Sequence, residues 1–421
     1  MTAVSGPGAR RGGGQKSSVA VFSMPEAGHF QRLRPIISGL AERGLDVHVL
    51  THRKFEAQIV RAGGIFFDLF TRYPVEAADD ESLPVPSRFV TFAAKYGEDI
   101  RRDLEKIRPS LIIHDTFALI GQIAATGLGL PRVNVCAGHN VAPARYLEAM
   151  PRDPRVKTSS RCLEAVRVLK EKYGLEDASP FSYLSATSPD LNVYCEPPEF
   201  LEGEKRAPFE PIAFYGSLPS LKEMGEPEAD AAGSFGGAAG GALRVYVCFG
   251  TIIWRYYADQ AVRSLTTLAA AFAGRKDIRA VISLGREGLE RGLVSSLSRP
   301  NVKVLESVDQ WAILREADVF FTHHGLSSTH EAIFHRVPMI SHPFFWDQPE
   351  LAELCRDLGL AIPLIDHPGD DFDAGRVESV FARLDTEREA IGNALARARE
   401  WEIAVIAGRP AVLDRIMKLR G

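Results

Sequence analysis

The sequence predicts an α/β fold made of two doubly wound, Rossmann-like parallel-sheet domains facing each other across a cleft. Three observations predict it. Short apolar runs rich in β-branched residues alternate with amphipathic stretches of helical length, which is the pattern of βαβ units. The alternation runs its course twice, and a Gly/Ala/Glu-rich stretch with almost no bulky apolar residue separates the two passes. The chain has 421 residues, enough for two to three domains with cores of their own.

In chain order, residues 1–17 are Gly-, Ser- and Arg-rich and read as a disordered tail. Strands are then expected at SVAVFSM, DVHVLTH, GIFFDLF, SLIIHDT and PRVNV, with helices at 32–44 and 117–127. These elements form an N-terminal domain over 18–219. Residues 220–242 read as a flexible linker. The pattern restarts with RVYVCFGT, RAVISLG, NVKVLE, VFFTHHG, VPMISHP and LAIPLI, giving a C-terminal domain over 243–385, followed by closing helices over 386–421. No repeat with a period of 20 to 50 residues is present.

Composition narrows the function. With 50 Lys and Arg against 54 Asp and Glu, the chain lacks the basic excess that a nucleic-acid partner would require. No run of 18 or more apolar residues exists to span a membrane. Five cysteines, widely spaced and odd in number, fit reduced thiols and a cytoplasmic setting better than a disulfide framework. Oligomeric state is not encoded in any pattern found.

The densest chemical signal is THHGLSSTHEAIFHRVPMISHPFFWDQPELAE, residues 322–353. A strand ends, the chain turns through Gly325, and Ser327, Ser328 and Thr329 open the next helix. Unpaired N–H groups and partial positive charge at a helix N-terminus, with hydroxyls and the preceding His323, suit a diphosphate; a serine there equally suits a plain helix cap. Zinc is not expected. His330 and His335 are five residues apart, about 140° around a helix, and cannot clamp one ion.

This segment resembles the donor-binding signature of the family 1 nucleotide-sugar glycosyltransferases, the group of plant secondary-product and bacterial macrolide glycosyltransferases. The similarity extends from Ser18 over nearly the whole chain and is stronger in the C-terminal half. It implies a GT-B fold and a nucleotide-sugar donor. By that resemblance His323 contacts the diphosphate, Gly325 makes the turn, Ser328 binds phosphate beside the donor-site candidate Ser327 of the same helix turn, and Glu331 holds the ribose hydroxyls. Asp347 and Gln348 match the pair that hydrogen-bonds the donor sugar, Gly250 and Thr251 the phosphate-side loop, and Gln310 the loop facing the base. Ser307 stands where the family commonly has a base-stacking Trp, and Trp311 is displaced from that place. A carboxylate at Glu331 can accept from both ribose hydroxyls, which favours UDP over dTDP. In the N-terminal half, His29 of MPEAGHF matches the catalytic histidine and Asp115 the acid that orients it, although Gln31-Arg32 replaces the family's Asn-Pro.

The residue chemistry agrees with that resemblance. Transfer to a hydroxyl needs a base with a pKa near neutral, and a carboxylate on the far ring nitrogen fixes the imidazole tautomer. No GxSxG elbow suggests a serine hydrolase. The expectation is an inverting hexosyltransferase, metal-independent and without a resident cofactor, acting on a small, hydrophobic natural-product acceptor. The acceptor is expected against segments 72–95 and 139–190. The rivals are a nucleotide-sugar 2-epimerase of the same fold and a non-catalytic nucleotide-sugar- or lipid-binding helper.

Overall fold

The protein is described from a computed structural model covering residues 17–75, 88–139, 142–150, 156, 158–184, 186–219, 235 and 241–420. Seven parallel strands make the first sheet, in the order β3-β2-β1-β4-β5-β6-β7. They are β1 (Ser18–Phe22), β2 (Asp46–Thr51), β3 (Ile65–Asp68), β4 (Leu111–Asp115), β5 (Arg132–Cys136), β6 (Leu191–Tyr194) and β7 (Ile212–Phe214). Six parallel strands make the second, in the order β10-β9-β8-β11-β12-β13. These are β8 (Leu243–Cys248), β9 (Ile278–Ser283), β10 (Val302–Leu305), β11 (Val319–Thr322), β12 (Met339–Ser341) and β13 (Ala361–Pro363). This is the architecture of two doubly wound Rossmann-like domains.

Helices cover both faces of each sheet, so central strands are buried throughout: all five residues of β1 and all four of β11 are buried. That is why these strands read as continuous apolar runs. Val19, Val21, Ile113 and Val135 form one layer of the first core, and each such side chain contributes about 1.5–3 kcal/mol on burial.

Both sheets change direction beside their first strand, at β1/β4 and at β8/β11. A doubly wound sheet opens a crevice at the carboxyl ends of such a strand pair. The chain leaving β1 and the end of β4 meet at one crevice, and those leaving β8 and β11 meet at the other.

The expected tail lies outside the described residues except for Ser17, as does the expected linker apart from Phe235, Gly241 and Ala242. Two strands, β6 and β7, are additional to the five expected in the N-terminal domain. The closing segment also begins earlier than residue 386. A single helix runs from Ala374 to Ala407, capped by the Asp373 side chain on the Arg376 N–H. The following helix, Arg409–Lys418, returns to the N-terminal domain. Its Arg409 donates to the carbonyls of Tyr215 at 2.7 Å and Leu218 at 2.5 Å, and Arg415 donates to that of Ile212 at 2.6 Å. Gly39 on the first helix, α1 (Ala27–Glu42), makes room for Leu413, whose methyl would collide with any Cβ there. No helix among the described residues is long and apolar enough to cross a membrane, and all five cysteines are free thiols.

Candidate active site

His29 lies in the first turn of α1, directly after the β1 crevice. Its Nδ1 faces Asp115 Oδ1 at 3.2 Å, and the imidazole keeps 16% of its surface while the carboxylate is fully buried. Asp115 is held from three sides. Its Oδ2 accepts from the Met24 N–H at 3.1 Å and its Oδ1 from the Phe117 N–H at 2.8 Å, so it cannot rotate away from the imidazole. The Phe117 ring lies 3.8 Å from the His29 ring, centroid to centroid. With Nδ1 turned to the carboxylate, Nε2 is the ring atom left for a ligand in the cleft.

The opposite wall is built around His323, which follows β11. A Cβ at Gly250 would stand 2.6 Å from His323 Nε2, and one at Gly325 would stand 2.5 Å from it. Both glycines are therefore clearance for the imidazole, and Gly250 also needs its φ of +75°. Burial pulls His323 down to about 4, so the ring is neutral at pH 7.

Gly325 is the N-cap of the Leu326–His335 helix, and no side chain caps that end. Ser327 and Ser328 sit inside its first turn, so the cap role open to them from the sequence is not the one they occupy. Gln310 links the next layer. Its amide donates to Ser328 Oγ at 3.2 Å and to Glu331 at 2.8 Å. Burial pushes the Glu331 carboxyl above the usual range, and the Gln310 bond opposes that. Gln348 Oε1 accepts from the Phe344 N–H at 2.9 Å. Asp347, raised by burial, accepts from the backbone N–H of His139 at 2.9 Å.

One cavity of about 420 Å³ joins the two walls, with His29 on one side and Gly250, Thr251, Gln310, His323, Gly325, Ser327, Ser328, Asp347 and Gln348 on the other. Residues 238–364 match the family described as UDP-glucoronosyl and UDP-glucosyl transferase. The oleandomycin glycosyltransferase of Streptomyces antibioticus is 26% identical over 364 residues, covering 82% of this chain and 78% of its own. The chain is similar to the family 1 glycosyltransferases and has the GT-B fold. Among solved structures, the glycosyltransferase of kitacinnamycin aligns with TM-score 0.76 at 23% identity, over 97% of this chain and all of that one. A spinosyn rhamnosyltransferase solved with thymidine diphosphate aligns with TM-score 0.65 at 21% identity, over 96% and 100%.

Not every expected donor residue reaches the cleft. Ser307 is exposed on the loop after β10 and does not line the cavity. Trp311 is no substitute: it packs on His335 at 4.2 Å and Phe334 at 5.1 Å and does not line the cavity. Glu331 is reached through Gln310 and is not itself on the cavity wall. His330 and His335 diverge as their spacing requires, His330 lying between Glu196 and Glu402 and His335 against Trp311.

Three features were missed in the sequence. Arg32, noted only as a departure from the family pattern, is buried on the cavity wall. Its signal was present: it shares a helix face with Ile36 and Gly39, where a charge has no structural reason to be. Glu196, just past β6, is fully buried and bonds His139 at 2.7 Å and His330 at 3.1 Å, joining the domains. Phe89, Phe117, Tyr183 and Trp346 form an aromatic wall beside His29, with ring centroids 4.8 to 5.8 Å apart. The segments expected to hold the acceptor are described only in part, residues 76–87, 140–141, 151–155, 157 and 185 lying outside.

Proposed function

We propose that the enzyme transfers a hexose from a nucleotide sugar, UDP-linked in preference to dTDP-linked, to a hydroxyl of a small hydrophobic acceptor, with inversion at the anomeric carbon. His29 Nε2 takes the acceptor proton as the oxygen attacks. Asp115 holds the imidazole tautomer and stabilises the imidazolium that forms. Attack comes from the face opposite the diphosphate, whose departing charge meets the helix N-terminus at Leu326 without a metal. Gln348 and Asp347 hold the sugar hydroxyls, and the Gln310–Glu331 pair meets the ribose. The preference for UDP rests on that carboxylate and on the family's description; the spinosyn relative solved with thymidine diphosphate supplies the competing case. The aromatic wall beside His29 supports an apolar acceptor, and five free thiols fit a reducing, cytoplasmic setting.

The observation that carries the reading is that His29, paired to the buried Asp115, and the uncapped, His323-flanked helix end line one cavity from opposite domains. The test is His29→Ala. Turnover of donor with a panel of phenolic and macrolide acceptors should fall about 10²–10⁴-fold while nucleoside diphosphate affinity, titrated by calorimetry, stays near wild type. Wild-type turnover in that variant would remove His29 as the base.

A further inference from the structure

Arg32 follows His29 by three residues on α1, so the two side chains leave the helix on one side. It is only 5% exposed. Its single hydrogen bond among the described residues runs across the cleft from Nη2 to Ser327 Oγ at 2.5 Å, and its Nε is buried without a partner. No carboxylate among the described residues forms an ion pair with it. Burial lowers its pKa from the ordinary value, while Cys195, Glu331, Glu196 and Asp347 pull the other way from a distance. A guanidinium has five donors and stays protonated, and burying one with most of them unused is costly unless an anion arrives.

The cleft has a place for that anion. The guanidinium lines the same cavity as Ser327 and Ser328 at the uncapped end of the donor helix. His323 there is neutral at pH 7 and brings hydrogen bonding but no charge. Arg88, another cation on the N-terminal wall, is already bonded to Glu26 at 2.5 Å.

The geometry points to Arg32 as a diphosphate ligand supplied across the cleft by the acceptor domain, carrying the charge that develops on the leaving nucleoside diphosphate. This deepens the transfer reaction proposed above and rests on it. As the anomeric carbon–oxygen bond breaks, its electron pair stays on the terminal phosphate oxygen. The acceptor oxygen bonds the anomeric carbon and its proton passes to His29. Arg32 keeps its protons and donates to phosphate oxygens in the forked geometry that guanidinium and phosphate share. Because the contact comes from α1, it forms only with the domains closed, and closure brings His29 up with it.

The experiment compares wild type with Arg32→Met and Arg32→Gln, titrating UDP against uridine, or thymidine diphosphate against thymidine if the wild type binds that pair more tightly. Diphosphate affinity should fall about 10- to 100-fold in both variants. Nucleoside affinity should not change, which also reports that the variants are folded. Turnover should fall about 10²–10³-fold at saturating donor. Unchanged preference for the diphosphate over the nucleoside, with wild-type turnover, overturns the role of Arg32 and leaves the proposed reaction standing. Failure of the wild type to bind any nucleoside diphosphate overturns both.

Discussion

The buried chain His139–Glu196–His330–Glu402 should make stability fall at alkaline pH, and the structure gives the size of the loss. His330 is inaccessible, with Glu402 Oε1 at 2.5 Å from Nδ1 and Glu196 Oε1 at 3.1 Å from Nε2. Burial alone would lower its pKa, but the two carboxylates, Glu402 foremost, outweigh it and raise the group from 6.5 to about 9. That rise is worth about 3 kcal/mol in favour of the protonated folded state. Since the folded value lies above the unfolded one, the stabilisation is complete below pH 6.5 and is lost as pH rises through about 9. Glu196 behaves in the opposite sense. Burial would raise it, but His139 and His330 draw it down from 4.5 to about 2, so its contribution is present above pH 4.5 and lost as pH falls toward 2. The two effects describe one coupled network and are not summed. Glu402→Gln removes the strongest partner while keeping the side chain's shape, so His330 should lose its proton near neutral pH. Urea unfolding followed from pH 6 to pH 10 should give wild type an advantage of about 2–3 kcal/mol at pH 6 that shrinks by at least about 1 kcal/mol by pH 10. An advantage that stays constant across that range would refute the assignment of a protonated His330.

The remaining expectations concern the donor site. Gly325→Ala keeps an allowed φ of −64° but sets a Cβ 2.5 Å from the buried His323 ring, so it should lower the melting temperature and weaken nucleoside diphosphate binding by displacing that imidazole; wild-type affinity in a calorimetric titration would contradict the clearance role. Gly250→Ala meets the same imidazole and adds a left-handed φ, so its melting temperature should also drop, by the equivalent of about 1–2 kcal/mol. In a thermal-shift panel, UDP at about a hundred times its dissociation constant should stabilise by about 2.7 kcal/mol and exceed dTDP, ADP and GDP; a larger dTDP shift would reassign the base. EDTA should leave transfer intact, and activity lost to chelation and restored by Mg²⁺ or Mn²⁺ would count against metal-independent departure of the diphosphate.

What could be seen in the sequence depended on how local its cause was. The β1, β4, β8 and β11 runs are apolar because both faces of a parallel sheet are covered, so the strands are legible from pattern alone, whereas His29, Asp115, Gly250 and His323 stand out among the residues that follow them through the family resemblance. β6 and β7 escaped because four and three residues carry little periodicity, and β7 follows Pro211. The start of the Ala374–Ala407 helix was hidden by Gly375 in its first turn, although Asp373 is a regular capping residue. Ser307 was assigned by position in a family pattern, but the loop after β10 leaves it exposed. Arg32 and Glu196 gain their meaning from partners 295 and 134 residues away, and spacing along the chain carries no trace of either pairing.

The interdomain contacts divide by what a donor would do to them. Arg32 reaches Ser327, and the His139 N–H reaches Asp347; Ser327 and Asp347 both line the cleft cavity. A bound diphosphate and a bound hexose would present oxygens to those same groups, so each contact can be exchanged for one through the substrate with little change in the number of satisfied donors. The Glu196–His330–Glu402 contact is different. It lies beneath the donor helix with every member inaccessible, and no substrate atom can replace a carboxylate there. Its charge pairing therefore holds the helix bearing Ser327, Ser328 and Glu331 to both the N-terminal domain and the Ala374–Ala407 helix while the outer contacts turn over. Arg409 and Arg415, bonded to the carbonyls of the β7 edge and the loop after it, extend the same fixed connection through the closing helix. Opening for product release should then proceed by motion at the cavity side, parting the Arg32 and His139 contacts and the Phe117–Trp346 rings, with the buried carboxylate–histidine chain acting as the pivot.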